Sequence, residues 1–337
     1  MSKRLRTILQ YIFFLGLGIF LVWWSIKDLT SDDKSQIRKA LQTARYWLII
    51  PVFGILFLSH FVRALRWRLL IEPLGFKPSK ANTFFAVLIG YLANQAVPRL
   101  GEVLKCTVLA RYEKIPADKL VGTIILERII DALTLLVIFG ITLAIQPDLY
   151  SQIIDAFFHS SQQKEEKKIA TWIIGVIILA VIMIAIAIWM IIKKKNFNDL
   201  LLLLKKIVRS VIQGVSSIRS LKKRKTFIFL TIGLWGLYLS GGYLGFMALQ
   251  ETSQYGIREA FTVLSAGSIG MIATPGGIGA YAYMIEKTMT LYGLNAGIAL
   301  AFGWILWLAQ TSVILIGGLI SFVAIPYYNK KRLSAES

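Results

Sequence analysis

Long uncharged apolar stretches constrain this chain more than any other feature of its sequence. A helix needs about 20 apolar residues to cross the hydrocarbon of a bilayer, and the longest such stretches cover residues 8–26, 46–62, 81–98, 170–192, 226–249, 260–285 and 288–325. Of the 337 residues, 56% are hydrophobic and 17% are charged. This pattern excludes a soluble protein and predicts an all-α, polytopic membrane protein in which residues 1–337 form a single membrane domain.

The net charge of +20 is concentrated in segments that flank the apolar stretches. Lys and Arg in such places set the orientation of a membrane protein and meet anionic headgroups, so we expect an anionic lipid surface, and no nucleic acid, as a partner. The segment 193–225 carries eleven Lys and Arg against one acidic residue. It predicts a cytoplasmic amphipathic linker between two halves of the chain.

The distribution of basic residues also predicts the topology. If residues 81–98 enter from the cytoplasm, break at Pro98 and return to the same side, the inner segments hold 27 Lys and Arg and the outer segments hold nine. Such a bias obeys the positive-inside rule. It predicts a multi-pass protein of a bacterial-type cytoplasmic (inner) membrane, with the N- and C-termini in the cytoplasm.

A shift of 177 residues aligns part of the chain with itself without a gap. It matches four identical pairs: Phe84 with Phe261, Gly90 with Gly267, Ala96 with Ala273, and Pro98 with Pro275. Inverted repeats with broken helices are typical of transporters, while chance matching of common Gly and Pro residues is the alternative. We predict an inverted repeat with half-repeats 46–145 and 226–325, whose re-entrant hairpins lie at about 81–118 and about 259–292.

The breaks in the two hairpins are expected to act as hinges or gates. Non-helical backbone is tolerated at membrane depth only where it is buried in protein or lines a wet cavity. The breaks therefore mark an interior site, and the residues assigned to them are Pro98, Gly101, Pro275, Gly276, Gly277 and Gly279.

The first break carries charged residues, Arg99 and Glu102. The start of the following helix favours an anion, and Arg suits bidentate contact with phosphate. A pair between Arg99 and Glu102 that only staples the hairpin is the alternative. Asn94, one turn before the break, is expected to cap exposed backbone or to contact substrate.

A second charged cluster, Glu127, Arg128 and Asp131, lies within an otherwise apolar stretch. Charges this deep cost about 2.5–3.5 kcal/mol each, so they should face the protein interior and have partners. Arg128 is placed to bridge to Asp131, and Arg99 is a candidate partner for either carboxylate. Substrate binding and a structural ion network both remain open for this cluster.

Two other charged groups have less specific roles. Glu286 and Lys287 follow the second break, and they are expected to line an outer vestibule or to lie at the membrane interface. The apolar stretch at 46–62 is followed by Arg63, Arg66, Trp67 and Arg68, three cations and an aromatic that are interpreted as interfacial anchors.

No catalytic, metal or cofactor site is expected. Cys106 is the single cysteine, and His60 and His159 have no partners at metal-ligand spacing. No nucleophile elbow, P-loop or dinucleotide motif is present.

Four motifs together resemble those of a known family. They are Arg63-Ala64-Leu65-Arg66-Trp67, Pro98-Arg99-Leu100-Gly101-Glu102, Glu127-Arg128-Ile129-Ile130-Asp131 and Thr274-Pro275-Gly276-Gly277-Ile278-Gly279. Over residues 8–325 the chain resembles the lysylphosphatidylglycerol synthase transmembrane (flippase-like) family. In that family a cytosolic synthase can accompany the membrane domain, which is implicated in moving the product lipid. The resemblance implies a stand-alone flippase-like protein, with candidate lipid-contacting or gating residues Arg99, Glu102, Glu127, Arg128 and Asp131.

The first functional hypothesis is a flippase-like transporter for an anionic or aminoacylated (glyco)lipid headgroup. Its candidate substrates are a phospholipid, an aminoacyl-phospholipid and a polyprenyl-linked glycolipid. The alternative is a non-transporting scaffold or regulatory subunit for a lipid-modifying envelope enzyme, in which Gly-rich faces serve as helix contacts. An intramembrane transferase with Glu127 or Asp131 as base is a third hypothesis, and enzymatic activity is not the expectation.

Cysteine accessibility tests the topology. After Cys106 is replaced, a cysteine at position 200 should react with an impermeant reagent from the cytoplasmic side, and a cysteine at position 160 only from outside. The reason is that the charge distribution places the two positions on opposite faces of the membrane. Labelling of both positions from the same side would contradict the re-entrant arrangement.

Overall fold

The structure is a computed structural model that describes residues 16, 18–23, 26–27, 30–97, 99–146 and 221–336. All of these residues belong to one compact unit formed by residues 1–153 and 220–337. The apolar stretch at 170–192, most of the linker predicted at 193–225, and Pro98 lie outside the described residues.

The described residues form helices and no strands, so the predicted all-α class is confirmed for them. The α-helices are, in chain order, α1 Ser31–Gln42, α2 Ile49–Ile71, α3 Lys80–Ala96, α4 Leu100–Glu113, α5 Ala117–Ile145, α6 Arg224–Phe246, α7 Ile257–Ala273, α8 Ala280–Leu291 and α9 Ala296–Glu336. Short 3-10 helices flank α2 at Tyr46–Leu48 and Glu72–Leu74, and another lies between α7 and α8 at Pro275–Gly277.

Four helical segments of the described chain are long and apolar enough to cross a membrane. They are Tyr46–Leu74, Ala117–Ile145, Arg224–Phe246 and Ala296–Arg332. Large apolar side chains remain exposed on them, for example Ile50 at 78%, Leu136 at 66% and Phe229 at 73%. Apolar surface of this extent marks contact with lipid or with another apolar partner.

The two halves of the described chain repeat one order of helices. A spanning helix is followed by a broken pair of shorter helices and then by a second spanning helix, first in α2 to α5 and again in α6 to α9. The last helix of each half also packs on the broken pair of the other half, α9 on α3 and α5 on α7. An inverted repeat requires this order, while the entry of the two hairpins from opposite faces stays a prediction.

At the first break, the backbones of α3 and α4 lie so close together that a side chain would not fit between them. A Cβ atom on Gly90 would lie 2.9 Å from the carbonyl oxygen of Gly101. Asn94 Oδ1 accepts a hydrogen bond from the Gly101 N–H at 2.8 Å, which caps the start of α4 as the sequence suggested. Arg99 turns the chain with a left-handed φ of 66°, an uncommon conformation for a residue with a side chain.

The second break depends on glycine. Gly276, Gly277 and Gly279 have φ angles of 59°, 71° and 72°, and glycine adopts such left-handed conformations without a steric penalty. Trp307 of α9 donates its Nε1–H to the carbonyl oxygen of Gly276 at 2.7 Å. The turn is therefore fixed by its own backbone and by a spanning helix.

Each broken pair packs in its own apolar core. Trp67, Leu88 and Leu109 are among the buried residues around α3 and α4. Around α7 and α8 the corresponding core includes Phe246 and Phe302, whose rings stack with centroids 5.2 Å apart. Each break is therefore held between packed helices.

Gly277→Ala should lower the stability of the protein. The left-handed backbone disfavours a Cβ atom, and that atom would lie 2.6 Å from Met271 Sδ, so we expect a loss of about 1–3 kcal/mol. The matched control is Gly122→Ala in α5, where a Cβ atom meets nothing within 4 Å and a gain of about 0.5–1 kcal/mol is expected. Thermal unfolding of the detergent-purified variants measures both, and equal midpoints would contradict a fixed turn at the second break.

Candidate functional site

A cavity of about 520 Å³ lies between the two halves of the described chain. Asp131 and Trp235 on its wall are the central residues of the spans Ala117–Ile145 and Arg224–Phe246. Gln95, in the last turn of α3 before the first break, and Gly276, in the second break, also line it. The cavity is therefore at mid-span depth and touches both breaks.

The two halves contribute different chemistry to the cavity wall. Among the described residues, every charged group on the wall comes from the first half: Arg63, Glu102, Arg128 and Asp131. Helices α7 and α9 supply mainly apolar or small side chains, including Val263, Leu264, Met271, Leu306 and Ile314. The cavity thus combines a charged wall with an apolar wall.

Behind the charged wall, two arginines of α2 hold the two carboxylates of α5. Arg63 Nη1 lies 3.1 Å from Glu127 Oε1 and 2.6 Å from Asp131 Oδ2. Arg66 Nη2 lies 3.4 Å from Glu127 Oε1 and also pairs with Asp131. Lys105 of α4 completes the ion network, with its Nζ 2.9 Å from Glu127 Oε2. Three cations and two carboxylates therefore join α2, α4 and α5.

Because the ion network is buried, its charged side chains depend on one another for partners. The side chains of Arg66 and Glu127 are 0% exposed, and an unpaired charge at such a depth is very costly. Tyr238 of α6 adds a neutral contact, because its hydroxyl accepts from Arg63 Nη2 at 3.1 Å. The network consequently also connects the first half to the second.

Arg128 is the more accessible arginine on the wall. Its Nη2 lies 3.1 Å from Glu102 Oε1, and the two side chains are 44% and 29% exposed. The side chain of Arg63, by comparison, is 7% exposed and shared between two carboxylates. Arg128 is therefore free to receive a second anionic or polar group.

Five of the residues predicted for the site line the cavity: Asn94, Glu102, Arg128, Asp131 and Gly276. Glu127 lies behind the wall in the ion network. Arg99 is exposed and does not line the cavity, and no ion pair joins it to Glu102, Glu127 or Asp131. Its role in binding an anion stays a prediction.

The other predicted residues do not line this cavity. Gly101, Pro275, Gly277 and Gly279 shape the two breaks. Glu286 Oε1 lies 2.9 Å from Lys287 Nζ on α8, and the suggested outer vestibule stays a prediction. Arg128 pairs with Glu102 and not with Asp131, because both oxygens of Asp131 are held by α2.

The interpretation of Arg63, Arg66 and Trp67 as interfacial anchors is wrong. As whole residues they are 6%, 0% and 0% exposed, because α2 continues to Ile71 and carries these positions into the protein interior. A signal was present in the sequence. Two arginines three residues apart face one side of a helix, as do Glu127 and Asp131, and buried carboxylates require such cations.

Sequence reasoning also missed several neutral groups on the wall. His60 and Tyr91 pack with ring centroids 5.1 Å apart, and Trp235 and Tyr238 with centroids 5.7 Å apart. The spacing of Trp235 and Tyr238 places them on one face of α6, but nothing in the sequence indicates which face points inward. Within the described ranges, no three His, Cys, Asp or Glu side chains gather closely enough to hold a metal ion.

Apolar spanning helices around a partly charged interior cavity define a multi-pass membrane protein with an intramembrane cavity. The chain belongs to the family described as the lysylphosphatidylglycerol synthase TM region, which matches residues 9–318. The resemblance seen in the sequence is thus confirmed, and the family ties the chain to lipid biosynthesis or translocation.

A relative and the solved structures complete the comparison. The UPF0104 membrane protein MJ1595 of Methanocaldococcus jannaschii is 28% identical over 99 residues, which cover 28% of this chain and 30% of that protein. The match thus spans less than a third of the relative's length. No solved structure matches the chain.

Arg66→Met should strongly destabilise the protein. It leaves Glu127 and Asp131 with one cation fewer in a buried site, and we expect a cost of about 3 kcal/mol. Lys223→Met is the matched control, because Lys223 is 59% exposed in its pair with Glu72 and exposed pairs contribute at most about 1 kcal/mol. Unfolding in detergent compares the two, and similar shifts would mean that the network is not obligatory.

Proposed function

We propose that this protein is a flippase-like transporter that moves a lipid headgroup across the membrane through the mid-span cavity. The observation that carries the proposal is a cavity at the centre of the spans, with charged residues on one wall, apolar residues on another and both helix breaks at its edge. A lipid headgroup is polar and its tails are apolar. The headgroup would occupy the cavity while the tails stay in the bilayer.

The charges near the cavity support an anionic group in the ligand. The ion network holds three cations and two carboxylates, and the Arg128 pair is neutral. One net positive charge therefore remains beside the cavity, where a low dielectric strengthens attraction to a phosphate. Arg128 would contact that phosphate through the guanidinium N–H groups that Glu102 does not use.

The packing between the two halves supports movement of one half against the other. Asn82 of α3 and Asn329 of α9 exchange amide hydrogen bonds at 2.8 Å. A second contact between the halves joins α5 to α7 through the Thr142 and Ser265 hydroxyls, whose oxygens lie 3.1 Å apart. We infer that these contacts close the cavity at opposite ends and open alternately, as in transporters built from inverted repeats.

The orientation is part of the proposal. The positive-inside bias supports a cytoplasmic membrane with both termini in the cytoplasm. Arg99, exposed next to the start of α4, would then meet headgroups that approach from the cytoplasmic leaflet.

The family description also favours a second function. It names the TM region of a synthase, which supports a membrane subunit that serves a lipid-modifying enzyme without moving lipid itself. Transport and scaffolding differ in one observable, the movement of lipid by the purified protein.

Reconstitution into liposomes tests the transport proposal. A panel of lipids with fluorescent headgroups or tails should include at least one that wild-type protein moves between leaflets, as measured by dithionite quenching. Arg128→Gln should reduce that rate about tenfold, because a charge-assisted contact worth at least 1.4 kcal/mol is lost.

Two matched variants sharpen this assay. Arg111→Gln changes an exposed arginine of α4 that does not line the cavity, and its rate should equal that of the wild type. Arg99→Gln shows whether the exposed arginine at the first break contributes. Failure to move any lipid of the panel would refute transport and favour the scaffold.

A further inference from the structure

The cavity is open on one side. Among the described residues that line it, three are exposed: Arg128 and Ala132 on α5, and Ile272 on α7. Ile272 is 76% exposed, so most of its surface faces outward and only part of it faces the cavity. A residue that lines a cavity and also faces outward lies at the rim. These three residues therefore mark an opening between α5 and α7, which we call the lateral mouth.

The packing of α5 and α7 explains where this opening lies. The two helices touch where the Thr142 and Ser265 hydroxyl oxygens lie 3.1 Å apart. From that contact, Ala132 lies about 15 Å along α5 and Ile272 about 10 Å along α7, at a rise of about 1.5 Å per residue. The helices are therefore in contact at one end of the cavity and apart at mid-span.

The lateral mouth lies on a surface that faces lipid. Ile125 and Leu136 are 56% and 66% exposed, and with Arg128 and Ala132 they follow the spacing of three or four residues that places side chains on one face of a helix. Arg128 is about 5 Å along the axis from Asp131, the centre of the span, whereas headgroups begin about 15 Å from the centre. The remaining distance is more than an arginine side chain covers, so Arg128 is not an interfacial anchor.

An exposed ion pair at this depth indicates a polar group at the lateral mouth. Arg128 Nη2 lies 3.1 Å from Glu102 Oε1, with the two side chains 44% and 29% exposed. Charged groups that face hydrocarbon are costly, even when they are paired. A phosphate at the mouth removes this cost, because it accepts from guanidinium N–H groups that Glu102 does not use.

The other edge of the lateral mouth is apolar. Ile269 and Ile272 of α7 are 41% and 76% exposed, opposite the charged edge formed by Arg128. A lipid has both kinds of surface, a phosphate for one edge and acyl chains for the other. A free anion would have to cross hydrocarbon to reach an opening at this depth, which is unfavourable. The two edges together therefore fit a lipid that arrives from the bilayer.

We propose that a phospholipid enters and leaves the cavity sideways through the lateral mouth, with its phosphate at Arg128 and its acyl chains along Ile272. This inference rests on the proposed function and adds the route to it. The headgroup reaches mid-span along the charged edge of α5, while the acyl chains remain in the bilayer throughout.

Photo-crosslinking of the full-length protein in nanodiscs tests the route without requiring transport. One probe is a phosphatidylglycerol analogue with a diazirine on its headgroup, and the other carries the diazirine at the end of an acyl chain. Mass spectrometry should find the headgroup probe at Ala132 and Ile272, and excess short-chain phosphatidylglycerol should displace it. Displacement by inorganic phosphate at the same concentration would mean that the anion comes from water, contrary to the proposal.

Ile232 of α6 is the matched control position. It is 68% exposed, lies three residues from Trp235 at the centre of its span, and does not line the cavity. The acyl-chain probe should react there as it does at the lateral mouth. The headgroup probe should react at least about tenfold less, because a headgroup does not enter bare hydrocarbon.

Ala132→Trp places a large side chain in the lateral mouth. It should reduce crosslinking of the headgroup probe at Ile272 about tenfold and slow lipid movement to a similar extent. Ile232→Trp is the matched control and should change neither. If Ala132→Trp does not fold, Arg128→Gln is the second variant. It should reduce the headgroup crosslink at Ile272 about tenfold and leave the acyl-chain crosslink unchanged.

Two further results would overturn the inference. One is equal crosslinking of the headgroup probe at Ile232 and at the lateral mouth. The other is its absence from the mouth, which would mean that another helix covers this surface. Headgroup crosslinks at the mouth without lipid movement would support the mouth while refuting transport. Lipid movement at the wild-type rate by Ala132→Trp would support transport while refuting the mouth.

Discussion

The rest of this structure depends on the burial of two carboxylates in the middle of a spanning helix. Glu127 and Asp131 lie at the centre of α5, where hydrocarbon would otherwise surround them, and they persist because Arg63, Arg66 and Lys105 reach them. Satisfying both carboxylates fixes how α2 and α4 are rotated against α5. Neighbouring contacts keep that arrangement, since Lys105 also lies 4.5 Å from the centre of the Trp67 ring. The charged wall of the cavity is a consequence of the same packing.

The two broken helix pairs use similar backbone devices and different side chains. Close backbone approach occurs in both, at Gly90 against Gly101 and at Gly270 against the backbone of Ala280 and Tyr281. In the first pair, α4 continues with Lys105 and brings a cation to the ion network. In the second, α8 continues with Tyr281 and Ile285 and extends an apolar core. One fold plan thus provides a charged wall from one half and an apolar wall from the other.

The positions of the helices could be predicted from sequence, while the pairing of the charges could not. Apolar length and the Pro-Gly signals located both breaks and both flanking spans, because these properties are local. The partners of Glu127 and Asp131 depend on how far α2 extends and how it is rotated. The apolar stretch ends at residue 62, but the helix runs to Ile71. Arg63 and Arg66 therefore lie well inside the helix, although their sequence context is typical of its end.

The ion network also has a property that the proposed transport would need. A binding site in a transport path must attract its ligand and still release it. An unpaired arginine at this depth would hold a phosphate too tightly to let it leave, because low dielectric strengthens the attraction. Here most of the positive charge is already neutralised by Glu127, Asp131 and Glu102, and the remaining contacts come largely from neutral groups. Each neutral hydrogen bond contributes about 0.5–1.5 kcal/mol net, which under the proposed function would make binding and release of a headgroup comparably accessible.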